Sequence, residues 1–197
     1  MKPHPPPNQP KKNEYFNHLI MFLIEKKKSQ MDTQKAPYSI PSQTRIGHIH
    51  LKVADMERSL KFYCGLLGFK ETSRHGSRVV FISAGGYHQH IALNTWYSKN
   101  GKPPLPNNTG LSQVSILYPT RRDLACILKR ILDANYTISG ASDHGVSENL
   151  YIEDPDKNVI ALYWDKPYEL WPFHKDGTLE IYNVPLNITE LLETTSR

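Results

Sequence analysis

The chain repeats itself, and the repeat fixes most of what it can fold into. Gly47 to Val53 alternates, with Ile49, Leu51 and Val53 on one side and His48, His50 and Lys52 on the other. That is the pattern of a half-buried strand. A second alternating stretch runs from Gln113 to Tyr118, so that Gln113 stands 65 positions after His48. Later in the same order Ala92 and Ala161, each near the end of a strand-like run, stand 69 apart. A nearly constant offset held over strand, helix and further strands marks a duplicated supersecondary unit. It predicts an α+β domain of two tandem βαβββ modules, at about 45–96 and 111–165, forming one cup-shaped mixed sheet.

Local signals agree with this order. Asp55 is placed to cap a helix whose apolar positions include Met56, Leu60, Tyr63 and Leu67, ending at Gly68. Val79 to Ser83 and His88 to Thr95 read as strands divided by Ala84-Gly85-Gly86. Residues 97–110 hold enough glycine and proline to form only a linker. In the second copy, Thr120 with Asp123 three residues on starts a helix carrying Leu124, Ile127, Leu128, Ile131 and Leu132. Leu150 to Glu153 and Asn158 to Trp164 follow as strands joined by the turn Asp154-Pro155-Asp156-Lys157. Asn187 is placed to cap a short helix, Ile188 to Glu193, in a C-terminal extension covering 174–197.

Charge separates the N-terminal stretch from the rest. Residues 1–30 carry six lysines against Glu14 and Glu25, which accounts for +4 of the chain's formal +5. The remainder is close to neutral and lacks the basic patch that phosphate binding requires, so nucleic acid is excluded as a partner. Residues 1–43 hold seven of the fifteen prolines and no sustained period. They read as a disordered basic extension with a short helix near Tyr15 to Lys27. The apolar run Leu19 to Ile24 is too short to span a bilayer, so no membrane partner is expected. Cys64 and Cys126 fall in helices among apolar neighbours and read as reduced core thiols of a cytoplasmic protein.

The helix of each module must cover one sheet face, so the apolar strand residues point at it. The alternate residues then line the cup: His48, His50, His90, Ala92 and Asn94 from the first module, Gln113, Ser115, Ala161 and Tyr163 from the second. Three imidazoles on one concave face suit metal binding or acid/base work. His90, Asn94 and Tyr163 are the candidate substrate contacts.

Three strings carry a family resemblance: His48-Ile-His-Leu-Lys-Val-Ala-Asp-Met-Glu-Arg-Ser-Leu-Lys-Phe-Tyr63, Gly85-Gly-Tyr-His-Gln-His-Ile-Ala-Leu-Asn-Thr-Trp96, and Ser142-Asp-His-Gly-Val-Ser-Glu-Asn-Leu-Tyr-Ile-Glu-Asp-Pro-Asp156. They resemble the vicinal oxygen chelate superfamily of glyoxalases, bleomycin-resistance proteins and extradiol dioxygenases. The likeness is stronger to its catechol 2,3-dioxygenase branch and spans about Ile40 to Phe173. The resemblance implies an Fe(II) held by two histidines and a carboxylate. Carried over by position these are His48, Gln113 and Ala161, so two of the three ligands are replaced. It also implies an acid/base role for His144 and a hydrogen-bonding role for Tyr151, within a motif completed by Leu150, Asp154 and Pro155. Glycine is expected where Lys157 stands.

Alanine offers no donor atom, and a glutamine carbonyl is a weaker, neutral ligand. Two ways of keeping a divalent metal stay open. His50 and His90 could join His48 in a three-nitrogen site suited to zinc or copper, or a substrate carboxylate could fill the vacancy at Ala161. Three function classes follow. The first is an extradiol dioxygenase acting on a catechol-type aromatic. The second is a non-catalytic small-molecule-binding protein of the resistance type, and the third a glyoxalase-type lyase. In each the partner is a small molecule, and either a monomer or a homodimer suffices.

Overall fold

The structure, a computed structural model, describes residues 20–21, 37–105 and 107–196. The chain divides into units Met1–Thr44 and Arg45–Arg197. In the first, Ile20 and Met21 are helical, and Thr44 N–H closes a turn on the Pro41 carbonyl. The rest of the expected N-terminal extension and helix lies outside the described residues.

In the second unit each module opens as its sequence dictates. β1 (Ile49–Lys52) leads to α1 (Met56–Leu60), where the Asp55 carboxylate accepts the Arg58 N–H at 2.9 Å, the bond an N-cap supplies. The helix widens into a π turn over Lys61–Leu66 and stops at Gly68, whose φ of +87° favours glycine. β2 (Lys70–His75), β3 (Val79–Ser83) and β4 (Ile91–Asn94) complete the module. The second copy runs β5 (Val114–Leu117), α2 (Arg121–Asp133), β6 (Gly140–Asp143), β7 (Ser147–Glu153) and β8 (Val159–Asp165). Both modules have the same strand pairing: the first strand parallel to the last, and the rest antiparallel in sequence order.

Two differences from expectation matter. The cup is built from two sheets rather than one, in the orders β1-β4-β3-β2 and β5-β8-β7-β6, the second extended at its β6 edge by one more short strand. Among the described residues β1 and β5 are both edge strands, and no backbone ladder joins them. The segment after Phe173 is also more than an appendage. It returns as β9 (Val184–Pro185) to pair with Ser142 and Asp143 of β6, and only then forms α3 (Ile188–Glu193). β2 and β6 give no strand signal in the sequence because neither alternates. All six residues of β2 are exposed, and β6 begins Gly-Ala-Ser.

One apolar core serves both modules. Leu51, Ile82 and Leu93 from the first sheet, with Val53 just past β1, join Leu124, Leu128, Leu150, Ile160 and Leu162 from the second module, all buried. Burying such side chains stabilises by roughly 1.5–3 kcal/mol each. Polar ties reinforce the join. Tyr63 O–H donates to Asp154 Oδ2 at 2.8 Å, Ala54 N–H to Asp156 Oδ2 at 3.2 Å, and Arg58 pairs with Asp156. Arg130 Nε donates to the Leu66 carbonyl at 2.6 Å.

The two thiols are not both core residues as expected. Cys64 is half-buried, but Cys126 lies on the solvent side of α2, and both are free. The amphipathic period of α2 puts Ala125, Ile127 and Leu128 inward, which turns the intervening Cys126 out. Among the described residues no helix is long and apolar enough to cross a membrane.

Candidate functional site

Because β1 and β5 are unpaired edges, a cleft of about 650 Å³ opens along their seam. Its floor is apolar, from Ile49, Phe69, Ile91, Val114 and Ile116. Its polar groups are His48, His90, Gln113, Ser115 and Tyr163. His48, His90, Gln113 and Tyr163, each singled out in the sequence, therefore share one cleft. His48, Gln113 and His90 sit just ahead of β1, β5 and β4, on the connecting segments, and not within the strands as the alternation predicted.

The hydrogen bonds of these side chains fix what each can still offer. The Gln113 amide Nε2 donates to Ser115 Oγ at 3.1 Å. The carbonyl of Gln113 and the hydroxyl hydrogen of Ser115 are left available. The Ala84 N–H donates to His90 Nδ1 at 3.3 Å, and Ser83 Oγ lies 2.8 Å from the same nitrogen. A backbone N–H can only donate, so His90 carries its proton on Nε2. Burial, and then the neighbouring Asp165, push the Tyr163 phenol above its ordinary range, so it remains a donor.

His144 and Tyr151 are brought together, but neither is among the residues that line the cleft. Tyr182, from the C-terminal segment, presents its carbonyl 2.9 Å from His144 Nδ1, while Tyr151 O–H lies 2.9 Å from Nε2. A carbonyl only accepts, so Nδ1 bears the proton and Nε2 accepts from Tyr151. Burial raises the phenol of Tyr151, which favours its protonated, donating form. Asn94 is 4% exposed and donates to the Leu51 carbonyl at 3.3 Å, which leaves it outside the cleft. His50 lies nearer the linker, beside Pro103, Pro104 and Leu111.

The positions expected to hold iron do not form a set that fits it. Gln113 is a neutral amide, and Ala161, 0% exposed between Ser115 of β5 and Tyr151 of β7, presents a methyl group. A single imidazole remains, against the two imidazoles and carboxylate that Fe(II) prefers. The three-imidazole alternative is not assembled either. His48 and His50 rings are 5.3 Å apart, but His90 Nδ1 is turned to Ser83 and Ala84. Among the described residues no group of three or more His, Cys, Asp or Glu side chains is placed to hold an ion. Sequence reasoning missed the imidazole of His88, 6.4 Å from that of His48, and the ring of Phe81, 6.5 Å from that of His50. For Phe81 the signal was available, since it faces the opposite way from Val80 and Ile82.

Comparisons with known proteins bear on this geometry. A family model described as "Glyoxalase/Bleomycin resistance protein/Dioxygenase superfamily" matches residues 45–162. Among curated relatives, the catechol-2,3-dioxygenase of Bacillus subtilis (strain 168) is 40% identical over 160 residues, 79% of this chain and 53% of that protein. Biphenyl-2,3-diol 1,2-dioxygenase 3 of Rhodococcus globerulus is 25% identical over 123 residues, 61% of this chain and 63% of that protein. The chain thus spans between half and two thirds of the length of these relatives. Of solved structures, a glyoxylase/bleomycin resistance protein/dioxygenase domain from Frankia sp. EAN1pec superposes with a TM-score of 0.54 at 21% identity, covering 64% of this chain and all of that one. A glyoxalase/dioxygenase from Nostoc punctiforme gives 0.53 at 18%, covering 70% and 99%. These two likenesses show the fold.

Proposed function

Since the chain belongs to the glyoxalase, bleomycin resistance protein and dioxygenase superfamily, we propose that it binds a small oxygenated aromatic molecule in the β1–β5 cleft without an iron centre. The observation that carries this reading is the methyl group of Ala161, fully buried where the family resemblance implies a carboxylate. The cleft supports it from the other side. An apolar floor with a few convergent polar groups is the usual construction of a small-molecule site. On this reading the protein binds its ligand in the cytoplasm, as a monomer or homodimer, with neither nucleic acid nor membrane as partner.

Catechol offered with Fe(II) under air tests this reading. The wild-type chain should give no yellow ring-opened product, and Gln113→His with Ala161→Glu should gain it. Turnover by the wild-type chain would overturn the reading.

A second reading, extradiol ring cleavage, is favoured by the 40% identity to a catechol-2,3-dioxygenase and by the retained His144–Tyr151 pair. In it His48 would be the remaining metal ligand, and His144, with Tyr151 as its neighbour, would handle the proton of the substrate hydroxyl. That reading expects the wild-type chain to produce the ring-opened compound.

A further inference from the structure

We propose that Asn100, in the linker between the two modules, is a site of spontaneous covalent modification. It converts to aspartyl and isoaspartyl residues at a rate that one turn hydrogen bond sets. This chemistry needs no ligand and holds whatever the cleft binds.

Asparagine converts in this way when the backbone nitrogen of the next residue attacks its side-chain carbonyl carbon. A side chain on that next residue obstructs the approach, and glycine has none. Asn100 is the only asparagine in the sequence that precedes a glycine. Asn100 and Gly101 are both exposed, so water and hydroxide reach the reacting atoms. Asn100 holds φ of +56°, a left-handed turn conformation that asparagine tolerates better than most residues. Lys99 and Lys102 flank the pair, and their charges favour the anionic nitrogen that attacks.

What restrains the reaction is local. The Gly101 N–H donates to the Ser98 carbonyl at 2.8 Å, and the Asn100 N–H to the Ala54 carbonyl at 2.9 Å. Ser98 Oγ donates to the Val53 carbonyl at 2.9 Å, so the turn is pinned to the residues that follow β1. The Gly101 bond must open before its nitrogen can react. A hydrogen bond of this kind is worth about 0.5–1.5 kcal/mol net, which slows the reaction by only about two- to tenfold.

The atoms balance without an oxidant. Gly101 N gives its proton to solvent base and bonds to Asn100 Cγ, while the Cγ–Nδ2 bond breaks and Nδ2 leaves as ammonia. Water then opens the five-membered imide at either carbonyl. Opening at Cγ restores the ordinary backbone with an aspartate side chain. Opening at the main-chain carbonyl routes the backbone through the side chain, which adds one methylene to the linker. Either product places a carboxylate beside Lys99 and Lys102.

The full chain is incubated at pH 8 and about 37 °C, with and without guanidinium chloride, and its peptides are followed by tandem mass spectrometry. In both solutions Asn100 should gain about one mass unit before any asparagine followed by a side chain, Asn158 with Val159 included. The native rate at Asn100 should lie about two- to tenfold below that in the denaturant. An isoaspartyl methyltransferase with S-adenosylmethionine should then label the converted Asn100 peptide. Asn100 left intact in the folded chain while it converts in the denaturant would overturn the proposal. So would another asparagine converting first, or a converted Asn100 peptide that accepts no methyl group.

Discussion

The phenol of Tyr63, on the helical turn that continues α1, donates to Oδ2 of Asp154, in the β7–β8 turn, at 2.8 Å across 91 positions of sequence. Asp154 is itself buried and takes N–H groups from Asp156 and Asn158 on its other oxygen. The bond therefore fastens the helix of one module to a turn that the other module has already made rigid. Since the seam cleft depends on how the modules meet, this pair acts on the site from a distance.

Tyr63→Phe should cost about 1–3 kcal/mol at pH 8, the range for removing a hydrogen bond from a buried, charged acceptor. Urea midpoints would measure it. Burial, followed by the charge of Asp154, raises the Tyr63 pKa above its ordinary value. The unfolded phenol ionises near pH 10 while the folded one holds its proton. Tyr63 therefore favours the native state below that pH and ceases to do so as the pH rises past it. Tyr118, pushed up to about 12 mainly by burial, acts in the same sense. Stability should fall steeply above about pH 10, and less steeply in Tyr63→Phe.

Lys157 adopts φ of +67° in the same turn, a left-handed conformation in which a side chain is strained. Its ammonium group pairs with the exposed Glu153, a contact of little worth. Lys157→Gly should stabilise the protein by about 0.5–1 kcal/mol, read as a higher thermal midpoint with an unchanged cleft.

Gly145 holds φ of +82°, and a Cβ added there would lie 2.8 Å from both Pro172 and Tyr182. The segment that supplies the carbonyl partner of His144 lies directly against this glycine. Gly145→Ala should displace it and cost about 1–3 kcal/mol. Hydrogen exchange would show lost protection around Val184, which pairs with β6, while α2 keeps its protection.

Much of this architecture was legible from residue order, because strand alternation and helical spacing reflect burial directly. The inward set of β1 and the capping of α1 by Asp55 follow from local pattern, whereas the reading of Ala161 as a replaced ligand comes from the family resemblance. What stayed hidden depends on tertiary partners. Tyr182 reaches His144 from 38 positions away on a segment with no period, and no spacing rule anticipates it. His48, Gln113 and His90 fell within predicted strands because alternation continues past the last ladder hydrogen bond. The seam itself was invisible, since an edge strand and a paired one have the same alternation.

The most direct test of an iron-free site is equilibrium iron content. The full chain is loaded with Fe(II) under anaerobic conditions, desalted and assayed for iron, with Gln113→His/Ala161→Glu as the comparison. Wild type should retain well below about 0.1 iron per chain, and the variant, with a two-histidine, one-carboxylate set, should approach about one. The wild-type arm decides alone should the buried glutamate prevent folding. Wild-type protein that keeps close to one tightly held iron per chain would contradict the account.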